Sequence, residues 1–320
     1  DNREHAFCAP ADSNHGKTFL STGTSTQAFA PLTYLRLAYP LLYDGFKFLF
    51  YLGTIPLTNH RLLPVTLTGN TRLKPRLHRL TFHSPAFSDY PLAGPDEYFG
   101  LLMPQDGQKF SPFPVEDANV RAAVNGLPDG IRPALRWYTI RKLNQEACTI
   151  DVDVVTHGDN GPGSRWILNA HPGDTAGIYT GQVRWQAPKK SQLLLADASA
   201  LPALWHILEH YEALSPETLG AVDVVAMIAD DAEVEDGFEE TWRDKVRSLA
   251  MITAPHEEHS TRASQLLGSR FSADTAPDSV WVSGEGDLAK AVRSIAVHDW
   301  GVPREDVIWS VYWMKGKPRP

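Results

Sequence analysis

The chain has 320 residues and a net charge of −8, with 42% apolar and 21% charged residues. This is ordinary globular composition, enough for about two domains of roughly 150 residues each. The acidic balance argues against a nucleic-acid binder, whose phosphate contacts need a basic face, and two cysteines, Cys8 and Cys148, are too few for a disulfide framework, a four-thiolate zinc site or an iron–sulfur cluster.

Residues 1–60 read as an N-terminal extension without an assigned role. Their apolar stretch LTYLRLAYPLLYDGFKFLFYLGTIPL is interrupted by Arg36, Asp44 and Lys47 and broken by Pro40 and Pro56. A spanning helix needs about 20 consecutive apolar residues, and the stretch begins too far in for an ordinary signal peptide. A cytoplasmic chain is the simplest expectation, since two thiols suit a reducing compartment.

From residue 61, short strand-like runs follow one another: RLHRLTFH (76–83), EYFGLLMP (97–104), RWYTIRKL (136–143), TIDVDVVTH (149–157) and DTAGIYTG (174–181). Turn-formers separate them. In TIDVDVV, Ile150, Val152 and Val154 point one way and Asp151 and Asp153 the other, the alternation of a half-buried strand. A single helical insert is expected near Pro162 to Ala170. Together these runs predict a small antiparallel β-barrel over residues 61–187.

The pattern changes at the linker Ala187-Pro188-Lys189-Lys190. SQLLLADA leads into SALPALWHILEHYEAL, and AVDVVAMIA precedes TRASQLLGSRF. VWVSGEG then leads into DLAKAVRSIAVHDWG, and VIWSVYW follows. Continuous apolar strands alternating with amphipathic helices predict a doubly wound parallel sheet over residues 188–320, with helices on both faces. Ligands of such open sheets gather at the carboxyl ends of the strands.

Two stretches carry candidate chemistry. On the barrel run Arg136-Trp137-Tyr138-Thr139, period two puts Arg136 and Tyr138 on one face, Trp137 and Thr139 on the other. An arginine fork suits a phosphate, a tyrosine offers a flat face to a planar ring, and a threonine hydroxyl both donates and accepts. One strand later comes HGDNGPGSRW (157–166). Backbone N–H groups in a Gly-rich turn that opens a helix make a nest for phosphate oxygens, and Trp166 either stacks on an adenine or packs inward. Taken alone, each stretch also reads as an ordinary strand or turn.

The ordered set R-x-Y-[ST], H-G-x-x-G-P-x-S-x-W and P-G-D resembles the FAD domain of the siderophore-interacting proteins, a branch of the ferredoxin-reductase-like flavoproteins. LLLADASALPALWHILE, VWVSGEGDLAKAVR and VYWMKG resemble the segments of that family's nicotinamide domain. The resemblance runs from about Leu77 to Lys317.

It implies that Arg136 holds the FAD pyrophosphate, that Tyr138 flanks the isoalloxazine, and that Thr139 bonds near its N5 and O4, with Trp137 on the same strand. Gly161, Pro162, Gly163 and Ser164 would cradle phosphate, His157 would shape the turn, and Trp166 would stand near the adenine. In the second half, Asp197, Ser199, Ala200 and Pro202 would turn under NADH or NADPH, with Gly284, Glu285 and Gly286 at a second strand end. Glu285 has a second reading, as electrostatic support for the next helix. Tyr312 and Trp313 would close the sheet near the flavin, or lie there as buried aromatics. Ala198 and Ser199 stand where the family usually has Glu and Thr, and Met314 where an Arg is usual.

The chemistry so implied is hydride transfer from NAD(P)H to FAD, followed by single electrons to the Fe(III) of a ferric siderophore. Alternatives are a general flavin or ferredoxin–NADP type reductase, and a siderophore- or flavin-binding protein without turnover. The protein is expected to be a monomer without a metal of its own. The patch His256-Glu257-Glu258-His259 has the wrong histidine spacing for a zinc motif and reads as a solvated loop. Arg141, Lys142, Lys315, Lys317 and Arg319 are candidates for attracting an anionic ferric complex, Arg141 and Lys315 foremost. For the nucleotide, Asp230 and Asp231 would repel a 2′-phosphate, whereas Arg243 and Lys245 would attract one.

Overall fold

The computed structural model describes residues 60–116, 119–156 and 161–316. Residues 1–59 of the expected extension, the residues His157 to Asn160 and the cations Lys317 and Arg319 lie outside them.

Seven antiparallel strands form the first sheet: β1 (Leu62–Lys74), β2 (Leu77–His83), β3 (Tyr98–Met103), β4 (Ala134–Thr139), β5 (Lys142–Asn144), β6 (Thr149–Val155) and β7 (Thr175–Gln182), in the order β4-β3-β7-β1-β2-β6-β5. The two end strands of that order, β4 and β5, are joined by only Ile140 and Arg141, so the sheet must curl until its edges meet. Their backbone N–H groups stitch the seam, Ile140 donating to the Glu97 carbonyl (2.9 Å) and Arg141 to that of Asp151 (2.8 Å). Leu67, Leu80, Phe82, Phe99, Leu101, Ile150 and Val152 fill the interior. Helix α1 (Val120–Asn125) packs Val120 and Val124 on Leu102 and Tyr179, on the other face of the sheet. Helix α2 (Pro162–Asn169) adds Ile167 to the barrel core.

Two details differ from the sequence reading. RWYTIRKL is two strands broken at the seam rather than one. The central strand is β1, whose Pro64, Gly69 and Asn70 disguise it, although Leu63, Val65 and Leu67 alternate inward.

The second sheet is parallel: β8 (Gln192–Asp197), β9 (Val222–Ile228), β10 (Ser248–Thr253), β11 (Ser279–Glu285) and β12 (Val307–Trp313), in the order β10-β9-β8-β11-β12. Leu194, Ala196, Val224 and Ala226 face α3 (Leu201–Leu214), α4 (Pro216–Leu219) and α5 (Phe238–Trp242). Leu193, Leu195, Val225 and Met227 face α6 (His259–Arg270) and α7 (Gly286–Ser294). Alternate residues of each strand thus enter separate cores, which is why the strands read as continuous apolar runs. No helix among the described residues is long and apolar enough to cross a membrane.

The two sheets meet through polar contacts. Asp153, expected to point to solvent, is buried because the α/β half covers that face. It accepts Nε and Nη2 of Arg79, both at 2.7 Å, and Arg79 Nη2 also reaches Glu235 at 2.9 Å. Arg141 is buried too. It forks onto Glu209 of α3 (2.7 and 3.0 Å) with its guanidinium over the Trp205 ring. Asp96 accepts the backbone N–H groups of Arg184 and Trp185 and the indole Nε1–H of Trp281 on β11, at 2.9–3.0 Å, while burial raises its pKa. Burial also depresses the His206 imidazole, so the neutral ring's Nδ1–H donates to the Ile140 carbonyl at the seam (3.0 Å).

Replacing Arg79 by alanine leaves Asp153 buried with only Arg141 nearby, at 3.9 Å. Removing one partner of a buried pair costs about 3–5 kcal/mol, and Arg79's partial exposure reduces this to roughly 2 kcal/mol. Urea unfolding should show that loss for Arg79→Ala and less than half of it for Arg79→Lys.

Candidate functional site

On β4, Arg136 and Tyr138 share a face, and both touch the start of α2. A Cβ placed on Gly163 would lie 3.0 Å from the Tyr138 hydroxyl and 3.1 Å from Arg136 Cγ. A side chain there would require Arg136 and Tyr138 to give by a few tenths of an ångström, so glycine lets the turn come this close. Gly161 sits at the N-cap with extended backbone, and Pro162 fits the first helical position, where its missing N–H costs nothing. The N–H groups of Gly163 and Ser164 then point out of the first turn without helical partners. Arg136 is exposed, donates to its neighbour's Leu135 carbonyl (2.7 Å), and has no carboxylate partner among the described residues. Burial pushes the Tyr138 phenol up to about 12, so it stays protonated at ordinary pH.

Other residues of these stretches are placed differently. Trp137 lies on the opposite face, edge-on to Tyr98 (5.6 Å) and packed with Leu102 and Tyr179. It is not gathered with Arg136. Trp166 stacks on Phe82 (6.4 Å, 18°) against the barrel core, and the same ring lines a cavity of about 410 Å³. Pro104 to Lys109, His171 and Asp174 complete much of that cavity's wall. Sequence reading missed this loop, although a turn-forming Asp106-Gly107 directly behind β3 was a usable signal. His157 lies outside the described residues.

The carboxyl edge of the parallel sheet is organised around Asp197, the last residue of β8, which is 1% exposed. Its Oδ1 accepts the backbone N–H (2.9 Å) and hydroxyl (2.6 Å) of Ser199, and its Oδ2 accepts the Glu285 N–H (2.7 Å) and the Trp313 indole Nε1–H (2.8 Å). Gly284 has φ +143°, and a Cβ there would lie 2.5 Å from the Asp197 carboxyl carbon. That glycine makes room for a protein carboxylate. Glu285 caps α7, its Oε2 accepting the N–H groups of Asp287 (2.6 Å) and Leu288 (3.2 Å), so its second reading is what the geometry displays. Gly286 sits against Met314 and Val311. Ala200 is buried beside Leu201 in the core under α3, and Pro202, buried in the first turn of that helix, borders a cavity of about 20 Å³, room for one water.

Tyr312 brings the halves together, its hydroxyl 3.5 Å from Thr139 Oγ1 at the end of β4. Trp313 stands edge-on to His256 (5.4 Å). The patch around His256 is not a solvated loop. His259 is buried, its Nε2 2.9 Å from the Ala254 carbonyl, and His256 lies 3.7 Å from the buried Glu233. Lys315 is exposed and reaches Glu257 at 3.3 Å. Arg141, paired with Glu209 inside the fold, offers no free charge at a surface. The described residues contain no cluster of three or more side chains arranged to hold a metal ion.

Residues 66–185 match the model of the siderophore-interacting FAD-binding domain, and residues 189–316 match that of the siderophore-interacting protein. The chain belongs to the siderophore-interacting protein family. Within it, the chain is 27% identical over 202 residues to the ferric acinetobactin reductase of Acinetobacter baumannii, covering 62% of this chain and 66% of that one. It is 25% identical over 188 residues to a ferric vibriobactin reductase of Vibrio cholerae, covering 58% and 66%. The fold is similar to that of the siderophore-interacting protein SipS from Aeromonas hydrophila, with a TM-score of 0.64, 24% identity and 81% and 94% of the two chains covered. It also resembles a ferredoxin–NADP+ reductase from Neisseria gonorrhoeae solved with FAD and NADP, with a TM-score of 0.52 at 13% identity over 79% and 99%.

Asp197→Asn turns one acceptor oxygen into a donor facing existing donors, and an unsatisfied buried group costs about 1–3 kcal/mol. The expected outcome is a loss of that size in urea unfolding, with a shift of tryptophan emission as the charge and hydrogen bonding at the Trp313 indole change. An unshifted spectrum would show that the indole is held by something else.

Proposed function

We propose that this chain is an FAD-dependent oxidoreductase that takes electrons from a reduced nicotinamide nucleotide and delivers them to the iron of a ferric siderophore. The observation that carries the reading is the meeting of β4, with Arg136, Tyr138 and Thr139, and the carboxyl edge of the parallel sheet through Tyr312. A flavin site and a nucleotide site that must exchange electrons need such adjacency. The names of the acinetobactin and vibriobactin reductases support the acceptor class.

The residues suit a flavin dinucleotide. The cradle over Gly163 is tight, Arg136 has no carboxylate partner among the described residues, and the N–H groups of Gly163 and Ser164 open the first turn of α2. A diphosphate there would take charge-assisted bonds from Arg136 and neutral ones from Gly163 and Ser164. Tyr138, protonated and half-buried, would shield one side of the ring system and keep water from it. The hydroxyls of Thr139 and Tyr312 would donate to ring heteroatoms. The cavity beside Trp166 would take the adenosine end, since it lies beyond the Ala134 end of β4, away from Thr139. Bound in this way, FAD supplies the exchange between a two-electron donor and one-electron acceptors. Overall, one NAD(P)H and two Fe(III) give NAD(P)+, a proton and two Fe(II). Fe(II) is held far less firmly than Fe(III) by hard oxygen chelators, which releases the metal.

Two measurements test this. Losing one charge-assisted bond to a phosphate costs about 1.5–3 kcal/mol, so Arg136→Ala should weaken FAD binding by about ten- to a hundredfold, with unfolding of the apoprotein unchanged. Anaerobic mixing with NADH or NADPH, followed by a ferric siderophore and a ferrous chelator, should bleach the flavin band and then form the ferrous complex. A flavin that stays oxidised with both nucleotides refutes the reductase reading, and equal rates with every ferric chelate refute the siderophore preference.

A further inference from the structure

We infer that the chain selects NADH over NADPH, and that the loops after β9 and β10 make the selection. The inference rests on the reductase reading for the presence of a nucleotide, and on the following geometry for its identity.

The nicotinamide end must lie where the halves meet, at Thr139 and Tyr312 on the β12 side of the sheet. Neighbouring strands stand about 4.8 Å apart. In the order β10-β9-β8-β11-β12, the ends of β9 and β10 are therefore about 14 and 19 Å from that of β12. A dinucleotide lying across the carboxyl edge thus brings its adenosine ribose over these two ends.

The loops there, 229–237 and 254–258, contain seven carboxylates and no lysine or arginine. Among the described residues, the cations that reach them come from elsewhere and are already engaged. From the barrel, Lys74 pairs with Asp236, Arg76 with Asp230, and Arg79 with Glu235. Lys315 pairs with Glu257, and Arg262 of α6 with Glu258. Asp231 is exposed and has no ion-pair partner among the described residues.

The cations that sequence alone offered for a 2′-phosphate are elsewhere. Arg243 and Lys245 precede the first residue of β10, Ser248, and so lie at the amino edge of the sheet. Arg243 pairs with Glu239, and Lys245 with Glu212 at 2.7 Å.

A 2′-phosphate carries a charge of about −1.5 to −2. Over this edge it would meet carboxylates, and gaining one of the described cations would mean breaking an existing pair. The 2′-hydroxyl of NADH instead donates a hydrogen bond, and carboxylates accept it. The same division operates in dinucleotide folds generally, where an acid takes the ribose diol and an arginine admits the phosphate.

The flavin-loaded protein is titrated anaerobically with NADH and with NADPH, and ADP-ribose and 2′-phospho-ADP-ribose are titrated separately by calorimetry. NADH should half-reduce the flavin at a concentration at least about tenfold lower, and ADP-ribose should bind at least about tenfold tighter, the size of one unrelieved like-charge contact. NADPH performing equally or better, or the two fragments binding equally, overturns the inference. If neither nucleotide reduces the flavin, the reductase reading fails and the fragments decide alone. A preference for ADP-ribose then sustains the selection, and equal or absent binding ends it. Asp231→Arg and Glu257→Lys, both at exposed positions, should each lower the NADH:NADPH ratio several-fold. A ratio unmoved in both removes these loops as the determinant.

Discussion

The carboxyl edge of the parallel sheet hangs on a carboxylate that has no cation beside it among the described residues. Asp197 takes four donors from three places: the turn at Ser199, the backbone of Glu285 and the indole of Trp313. A buried carboxylate is tolerated when neutral N–H and O–H groups saturate its lone pairs. Here the saturation also fixes where β8, β11 and β12 end relative to one another. Gly284 adopts its left-handed backbone to admit this carboxylate, and Glu285 then turns to cap α7. The edge where a nucleotide would rest is thus held together by the protein's own hydrogen bonds.

The barrel joins this edge by a different kind of contact. Asp96 repeats the neutral-donor arrangement, tying β3's approach to Trp281 of β11. Along the flank, Arg79, Arg141, Arg76 and Lys74 meet carboxylates of the α/β half. Arg141 is buried in its pair, whereas Asp230 and Asp236 are largely exposed in theirs, and neither kind of pair adds much net stability. They tie the barrel to the half that carries Tyr312. The same pairing takes up the positive charge that a reader of the sequence would assign to an anionic ligand.

Much of the architecture was legible. The two periodicities, the linker and the α2 insert stand in the sequence because burial on one face or both leaves a distinct spacing. Strand β1 was hidden, since Pro64 and Gly69 are turn signals that its neighbours override. At the site, Arg136, Tyr138 and Gly163 were readable together, because strand period and glycine demand are local properties. Arg141 was misjudged, as the sequence does not state that α3 places Glu209 beside it. For Asp197, Gly284 and Glu285 the residue types stood out, but their neighbours are protein groups, and only tertiary structure tells a glycine that admits a ligand from one that admits a side chain. The patch at His256 was misread for the same reason. His256 lies against Trp313 of β12 and near Glu233 behind β9, both distant from it in the chain.

The two-residue link between β4 and β5 has a consequence for how the chain unfolds. Ile140 and Arg141 close the barrel with their backbones, while Ile140's carbonyl receives His206 and Arg141's guanidinium grips Glu209, both on α3. Closing the barrel and docking the α/β half therefore use the same two residues. Neither half has a complete boundary without the other, so residues 60–316 should melt as one cooperative transition despite containing two separate sheets.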